Sequence, residues 1–137
     1  MVTAGANSAD RAAQRVRSAR RAFGGLQELA KLPTPSIIER DAAIQRFEYT
    51  TEACWKATQA ILLDRFGVAA PSPKPAIRAA AQNGLITAQD ASSAMALIDD
   101  RNLTSHTYHE GLAVALFARL PAHTAVLDRW LIGLERA

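Results

Sequence analysis

The chain has 137 residues, of which 49% are hydrophobic and 21% charged, enough for one domain with a packed core and too few for two. A single cysteine, Cys54, excludes a disulfide framework or a Cys-based metal set within one chain, and its composition leads us to expect a reducing, cytoplasmic setting. No apolar stretch approaches the ~20 residues of a membrane span, and Val2-Thr3-Ala4-Gly5 offers no apolar signal core, so neither a membrane helix nor a signal peptide is expected. The net charge of +3 is unevenly placed: residues 1–40 hold seven Arg/Lys against three Asp/Glu, and residues 41–137 hold nine against ten. The positive excess in the first helical region is either a patch for an anionic partner such as RNA or a solvated helix face.

Helical spacing recurs from end to end, and strand alternation is nearly absent. Residues 1–9 read as a flexible tail and residues 10–137 as one helical domain. Ser8 is placed to cap a first helix with the stripe Val16, Ala19, Phe23, Leu26, Ala30; Gly24-Gly25 predicts a bend, and Pro33 and Pro35 end it. Ser36-Ile37-Ile38-Glu39 is a capping box opening the longest pattern, which Gly67 closes. Ile44, Phe47, Thr51, Cys54, Thr58 and Ile61 form its apolar face. Glu48, Glu52, Trp55, Gln59 and Leu62 run beside them. Glu48 and Trp55 are candidates for a structural or partner-contact role. A half-buried carboxylate here wants a cation: Arg101 is one candidate, and a surface rim without a partner is the alternative.

Ser72-Pro73 starts a short helix that stops at Asn83-Gly84, and Thr87 with Asp90 starts another, with Ala91, Met95, Ile98 and Asn102 on one stripe. Thr107-Tyr108-His109-Glu110 has the form of a second capping box, which predicts a new helix from Tyr108 with Leu112, Ala113, Leu116, Phe117 and Leu120 inward. Pro121 is expected to restart the chain for a final helix burying Val126, Leu127, Trp130, Leu131 and Leu134. The fold class is therefore all-α, an up-and-down bundle of five or six helices.

Between two of these helices lies a dense polar run, Asp99 to Glu110. In one straight helix Arg101 and His106 would point ~140° apart; a helix ending before Thr107 frees His106 to approach Arg101, and a second copy of the chain offers the same pairing across a two-fold axis. Histidine exchanges protons near neutral pH, and arginine grips phosphate through two parallel hydrogen bonds, so the pair suits phosphodiester cleavage without a metal. Asn102 and Ser105 are candidate supports. The competing reading is a helix-end His106 bonded to a backbone carbonyl. No clustered Cys or His completes a zinc set around His106 and His109, and neither a metal nor a cofactor is expected. Cys54 sits mid-stripe, as a core residue does.

Three segments in order resemble one family: Phe47-Glu48-Tyr49-Thr50 with Cys54-Trp55-Lys56; Ser72-Pro73 through Gly84-Leu85-Ile86; and Asp100-Arg101-Asn102-Leu103-Thr104-Ser105-His106-Thr107-Tyr108. Over residues 10 to 135 the chain resembles the nucleotidyltransferase substrate-binding proteins of the HEPN superfamily, which include HepT-like toxins and are similar to the helical domain of kanamycin nucleotidyltransferase. The resemblance implies a HEPN-like bundle, a homodimer, and RNA cleavage by an Arg-x4-His pair, here Arg101 and His106. It also implies a two-component toxin–antitoxin system in which a separately encoded MntA-like nucleotidyltransferase adds AMP to the tyrosine of Arg-x4-His-x-Tyr, here Tyr108, and silences the toxin. An aromatic packed at the helix start is the plainer role for Tyr108. The older view of the family implies a non-catalytic, substrate-binding subunit of a two-chain nucleotidyltransferase.

Overall fold

The computed structural model describes residues 4–137, with side chains described from residue 7. Five α-helices follow one another: α1 (Ala4–Ala30), α2 (Ile37–Phe66), α3 (Pro73–Gln82), α4 (Ala88–Asn102) and α5 (Glu110–Glu135). A single 3-10 turn, Leu103–His106, extends α4. The tail expected over residues 1–9 lies partly outside the described residues, and from Ala4 onward the chain is helical, upstream of Ser8. α1 also continues through Gly24-Gly25 as one helix.

The apolar stripes explain the packing. Val16, Ala19, Phe23, Leu26 and Ala30 bury one face of α1 against Phe47, Cys54 and Ile61 of α2. The capping box closes as expected: Ser36 Oγ accepts from Glu39 N at 3.1 Å while Glu39 Oε1 accepts from Ser36 N at 2.9 Å. Gly67, left-handed at φ 65°, ends α2. Thr87 Oγ1 accepts from Asp90 N at 3.0 Å to start α4. Ser72 precedes α3 without a side-chain cap bond, and Pro73 fills the first helical position, where the missing N–H is no loss.

Two boundaries differ from the sequence-based expectation. α5 does not restart at Pro121 but runs through it. Leu116, Leu120, His123, Leu127, Trp130 and Leu134 keep a single buried stripe on both sides of an exposed proline, and their burial outweighs the ~3 kcal/mol that an internal proline costs. Nor does α5 begin with a Thr107 capping box. Thr107 Oγ1 donates to the Thr104 carbonyl at 2.9 Å, which leaves His109 as the extended residue before Glu110, with no side-chain cap bond. The hydroxyl donates to a carbonyl of the 3-10 turn instead of accepting from Glu110 N–H.

α5 lies against α1 and α2. Arg20 of α1 meets Asp128 and Glu135 of α5 at 2.7 and 2.6 Å. In the core, Trp130 Nε1 donates to Thr58 Oγ1 at 2.8 Å, and Thr58 Oγ1 donates to the Cys54 carbonyl at 2.9 Å. Burial pushes the Cys54 thiol far above its ordinary range, so it is a packing residue rather than a nucleophile.

Candidate functional site

The end of α4 and the 3-10 turn bring the polar run to the surface. Arg101 is in the last turn of α4, and its guanidinium faces α2, 3.8 Å from Glu48 Oε1 and 3.7 Å from Glu52 Oε2. The partner sought for these half-buried carboxylates is therefore Arg101. Glu52 also accepts from the Trp55 indole N–H at 3.0 Å and lies 3.4 Å from Lys56 Nζ. Its partial burial raises its pKa, but the bonds from Trp55 and Lys56 together with the nearby cations outweigh this and hold it below the usual glutamate value.

The 3-10 turn is tied to this pair by Thr104, which is buried. Its hydroxyl donates to the Arg101 carbonyl at 2.7 Å and lies 3.2 Å from Glu48 Oε2. The tighter turn changes the direction of the chain after Asn102, so His106 leaves the path a continued α-helix would have taken. His106 and Tyr108 are exposed, Tyr108 at 77%. Tyr108 sits between two imidazoles, 6.3 Å from His106 in edge geometry and 4.4 Å from His109, measured between ring centroids. Its ring lies against His109 at the start of α5 and is otherwise largely open to solvent. Asn102 and Ser105 are exposed; Asn102 lines a ~200 Å³ cavity with Arg101, Glu52 and Trp55, and Ser105 Oγ reaches the Asn102 carbonyl at 3.4 Å.

Two acids without an assigned role acquire one. Asp99 pairs with Lys74 of α3 at 2.6 Å. Asp100 turns inward, where Arg119 grips it with Nε at 2.8 Å and a terminal nitrogen at 2.9 Å, and His123 Nε2 lies 2.6 Å from Oδ2. An ionised carboxylate only accepts, so Nε2 carries the proton. Burial pushes the Asp100 carboxyl up, yet the bonds from Arg119 and His123 more than offset it and hold it below the usual aspartate value. The same bond raises the pKa of Arg119. His123 is buried and stacks on Phe47, ring centroids 5.3 Å apart. The network clamps α4 to α5 one residue before Arg101. His123 was hidden in the sequence inside an apolar stripe; its one signal is its position there, since a polar residue at a core position needs a partner. Among the described residues, no three His, Cys, Asp or Glu side chains converge as a metal site requires, and no helix is long and apolar enough to cross a membrane.

The model of the family described as nucleotidyltransferase substrate binding protein like matches residues 14–136. The chain belongs to this family. A crystal structure of a Thermus thermophilus protein shares 50% identity with this family member, covers 86% of it and 99% of its own chain, and superposes with a TM-score of 0.83. Two more distant structures share the fold. One is a mutant of the toxin–antitoxin MntA-HpeT (17% identity, 93% and 99% covered, TM-score 0.77). The other is the tri-AMPylated Shewanella oneidensis HEPN toxin in complex with MNT antitoxin (16% identity, 92% and 97% covered, TM-score 0.74). The bundle is thus HEPN-like. No curated protein matches the chain in sequence.

Proposed function

We propose that this chain is the toxin of a two-component toxin–antitoxin pair, a metal-independent endoribonuclease that a partner nucleotidyltransferase silences by adding AMP to Tyr108. The observation that supports the reading is the end of α4: Arg101 in its last turn, then a 3-10 turn leading to an exposed His106 and an exposed Tyr108 whose rings lie 6.3 Å apart. The Shewanella oneidensis toxin of the same fold, itself AMPylated and bound to its antitoxin, supports it.

In this reading His106 takes the proton from a ribose 2′-OH, the oxygen attacks phosphorus, and the 5′-oxygen leaves and is protonated by the imidazole of a second copy or by water. The products are a 2′,3′-cyclic phosphate and a 5′-hydroxyl. Arg101 binds the phosphate and offsets charge building on it. Asn102 and Ser105 hold the phosphate or the imidazole. A homodimer brings two such sets together. For silencing, the Tyr108 phenol oxygen attacks the α-phosphorus of ATP and pyrophosphate leaves, which puts a negative phosphate where Arg101 receives RNA.

The test is His106→Ala, assayed for growth arrest on expression and for RNA cleavage in vitro. Loss of both is expected, and unchanged toxicity refutes the reading. Incubation with the partner nucleotidyltransferase and ATP should add AMP to the wild type and not at position 108 of Tyr108→Phe. A second reading, an accessory subunit that binds a nucleotidyltransferase and presents its substrate, draws on the hold of Glu48 and Glu52 on Arg101. It expects ATP-dependent turnover on another acceptor while Tyr108 stays unmodified in intact-mass spectra.

A further inference from the structure

A groove runs along the α1–α2 face beside this site. Nearest Arg101 is the small cavity lined by Glu52, Trp55 and Arg101. Glu52 also lines the next one, ~470 Å³, with Arg11, Arg15, Tyr49 and Lys56. Arg11 and Arg15 in turn line a third, ~550 Å³, with Gln59 and Leu63. The first two share Glu52 as a lining residue, and the last two share Arg11 and Arg15. From Tyr49 to Leu63 the groove follows α2 for ~21 Å at 1.5 Å per residue.

Its chemistry is one-sided. Arg11 and Arg15 are exposed and make no ion pair with the described residues. Arg20, on the α5-facing side of the same helix, is bound to Asp128 and Glu135. The one acid in the two larger cavities, Glu52, is already shared by Lys56 and Arg101. Tyr49 is 61% exposed and presents an aromatic face among these cations. Unpaired guanidiniums along a groove with an open aromatic ring match a phosphate backbone carrying unstacked bases.

We infer that this groove is a track for single-stranded RNA, with Arg11 and Arg15 on backbone phosphates and Tyr49 stacking a base, leading the strand to Arg101. The inference rests on the ribonuclease reading of the Arg101–His106 site. It assigns Arg11 and Arg15, part of the positive excess of α1, to substrate rather than to solvent.

The test uses the full chain carrying His106→Ala, so that RNA is not consumed, and a fluorescein-labelled single-stranded RNA dodecamer read by anisotropy over a salt series. Adding Arg11→Ala/Arg15→Ala should weaken binding at least tenfold at low salt and flatten the slope of log K against log salt by about 1.4, at about 0.7 for each single-strand phosphate that is no longer neutralised. Tyr49→Ala should weaken binding about fivefold or more with the slope unchanged. Arg17→Ala/Arg21→Ala, which removes equal charge from α1 outside the groove, should change affinity less than twofold. The track is overturned if the Arg11/Arg15 variant binds within twofold of its parent, or if the Arg17/Arg21 variant falls as far. Cleavage of the same RNA by the otherwise wild-type chain separates the two readings: cleavage with groove-independent binding removes the track alone, whereas neither cleavage nor binding removes both.

Discussion

Replacing Asp100 with Asn removes one charge and leaves the side chain's shape. In the wild type both carboxylate oxygens accept, Oδ1 from Arg119 and Oδ2 from Arg119 and His123. The amide turns one acceptor into a donor, so whichever way it is oriented it faces at least one N–H it cannot accept. Arg119 is 44% exposed, and its share is that of a surface pair, about 0–1 kcal/mol. His123 and Asp100 are only 10% and 14% exposed, and a buried charge-assisted bond contributes about 1.5–3 kcal/mol. The expected loss is about 2 kcal/mol, which for a chain of this size is a Tm lower by about 6 °C.

pH supplies the sharper test. The folded carboxyl titrates below its ordinary 3.8, so the fold favours the charged form. Its contribution is fully present above that ordinary value and is lost as the pH falls through the depressed one. Thermal melts followed at 222 nm should therefore show the gap between wild type and Asp100→Asn wide at pH 6 and shrinking below pH ~3.8. A gap under 1 °C at pH 6, or one that stays constant down to pH 3, refutes the argument.

Two glycines of the helices should respond with opposite sign to alanine. A Cβ at Gly133 would lie 1.9 Å from the Leu85 carbonyl oxygen, which is backbone, so Gly133→Ala should lower stability by about 2 kcal/mol after the helix-propensity gain. Gly24 has no such neighbour within 4 Å, and Gly24→Ala should raise stability by about 0.5–1 kcal/mol; urea midpoints read both. Thr50 is fully buried, and its hydroxyl has no hydrogen-bond partner among the described residues. Thr50→Val should leave stability equal or up to about 1 kcal/mol higher in the same assay, and a clear loss would show that the hydroxyl is bonded.

The parts legible in the sequence were those set by local or periodic rules. The stripes of α1 and α2 and the caps at Ser36, Gly67 and Thr87 depend on residues within one or two turns, and the structure forms them as read. The Arg101 partnership was half legible: half-buried glutamates beside Trp55 wanted a cation and Arg101 was one candidate, but a surface rim without a partner fitted the sequence equally well. What escaped depends on distance or competition. Asp100 finds Arg119 and His123 across 19 and 23 residues, a meeting fixed only once α4 and α5 pack. The Thr107 signature failed because a carbonyl three residues back competes for the same hydroxyl, and Pro121 because a long buried stripe outweighs one missing hydrogen bond.

In the proposed ribonuclease reading, the hold of Glu48 and Glu52 on Arg101 would also act as a filter. At 3.7–3.8 Å these are ion pairs rather than tight hydrogen bonds, partly exposed and loose enough to yield. A free nucleotide or inorganic phosphate must displace two carboxylates with a single contact. A polymer that brings several phosphates would displace them with the sum of its contacts, so the same reading expects the site to favour RNA over mononucleotides.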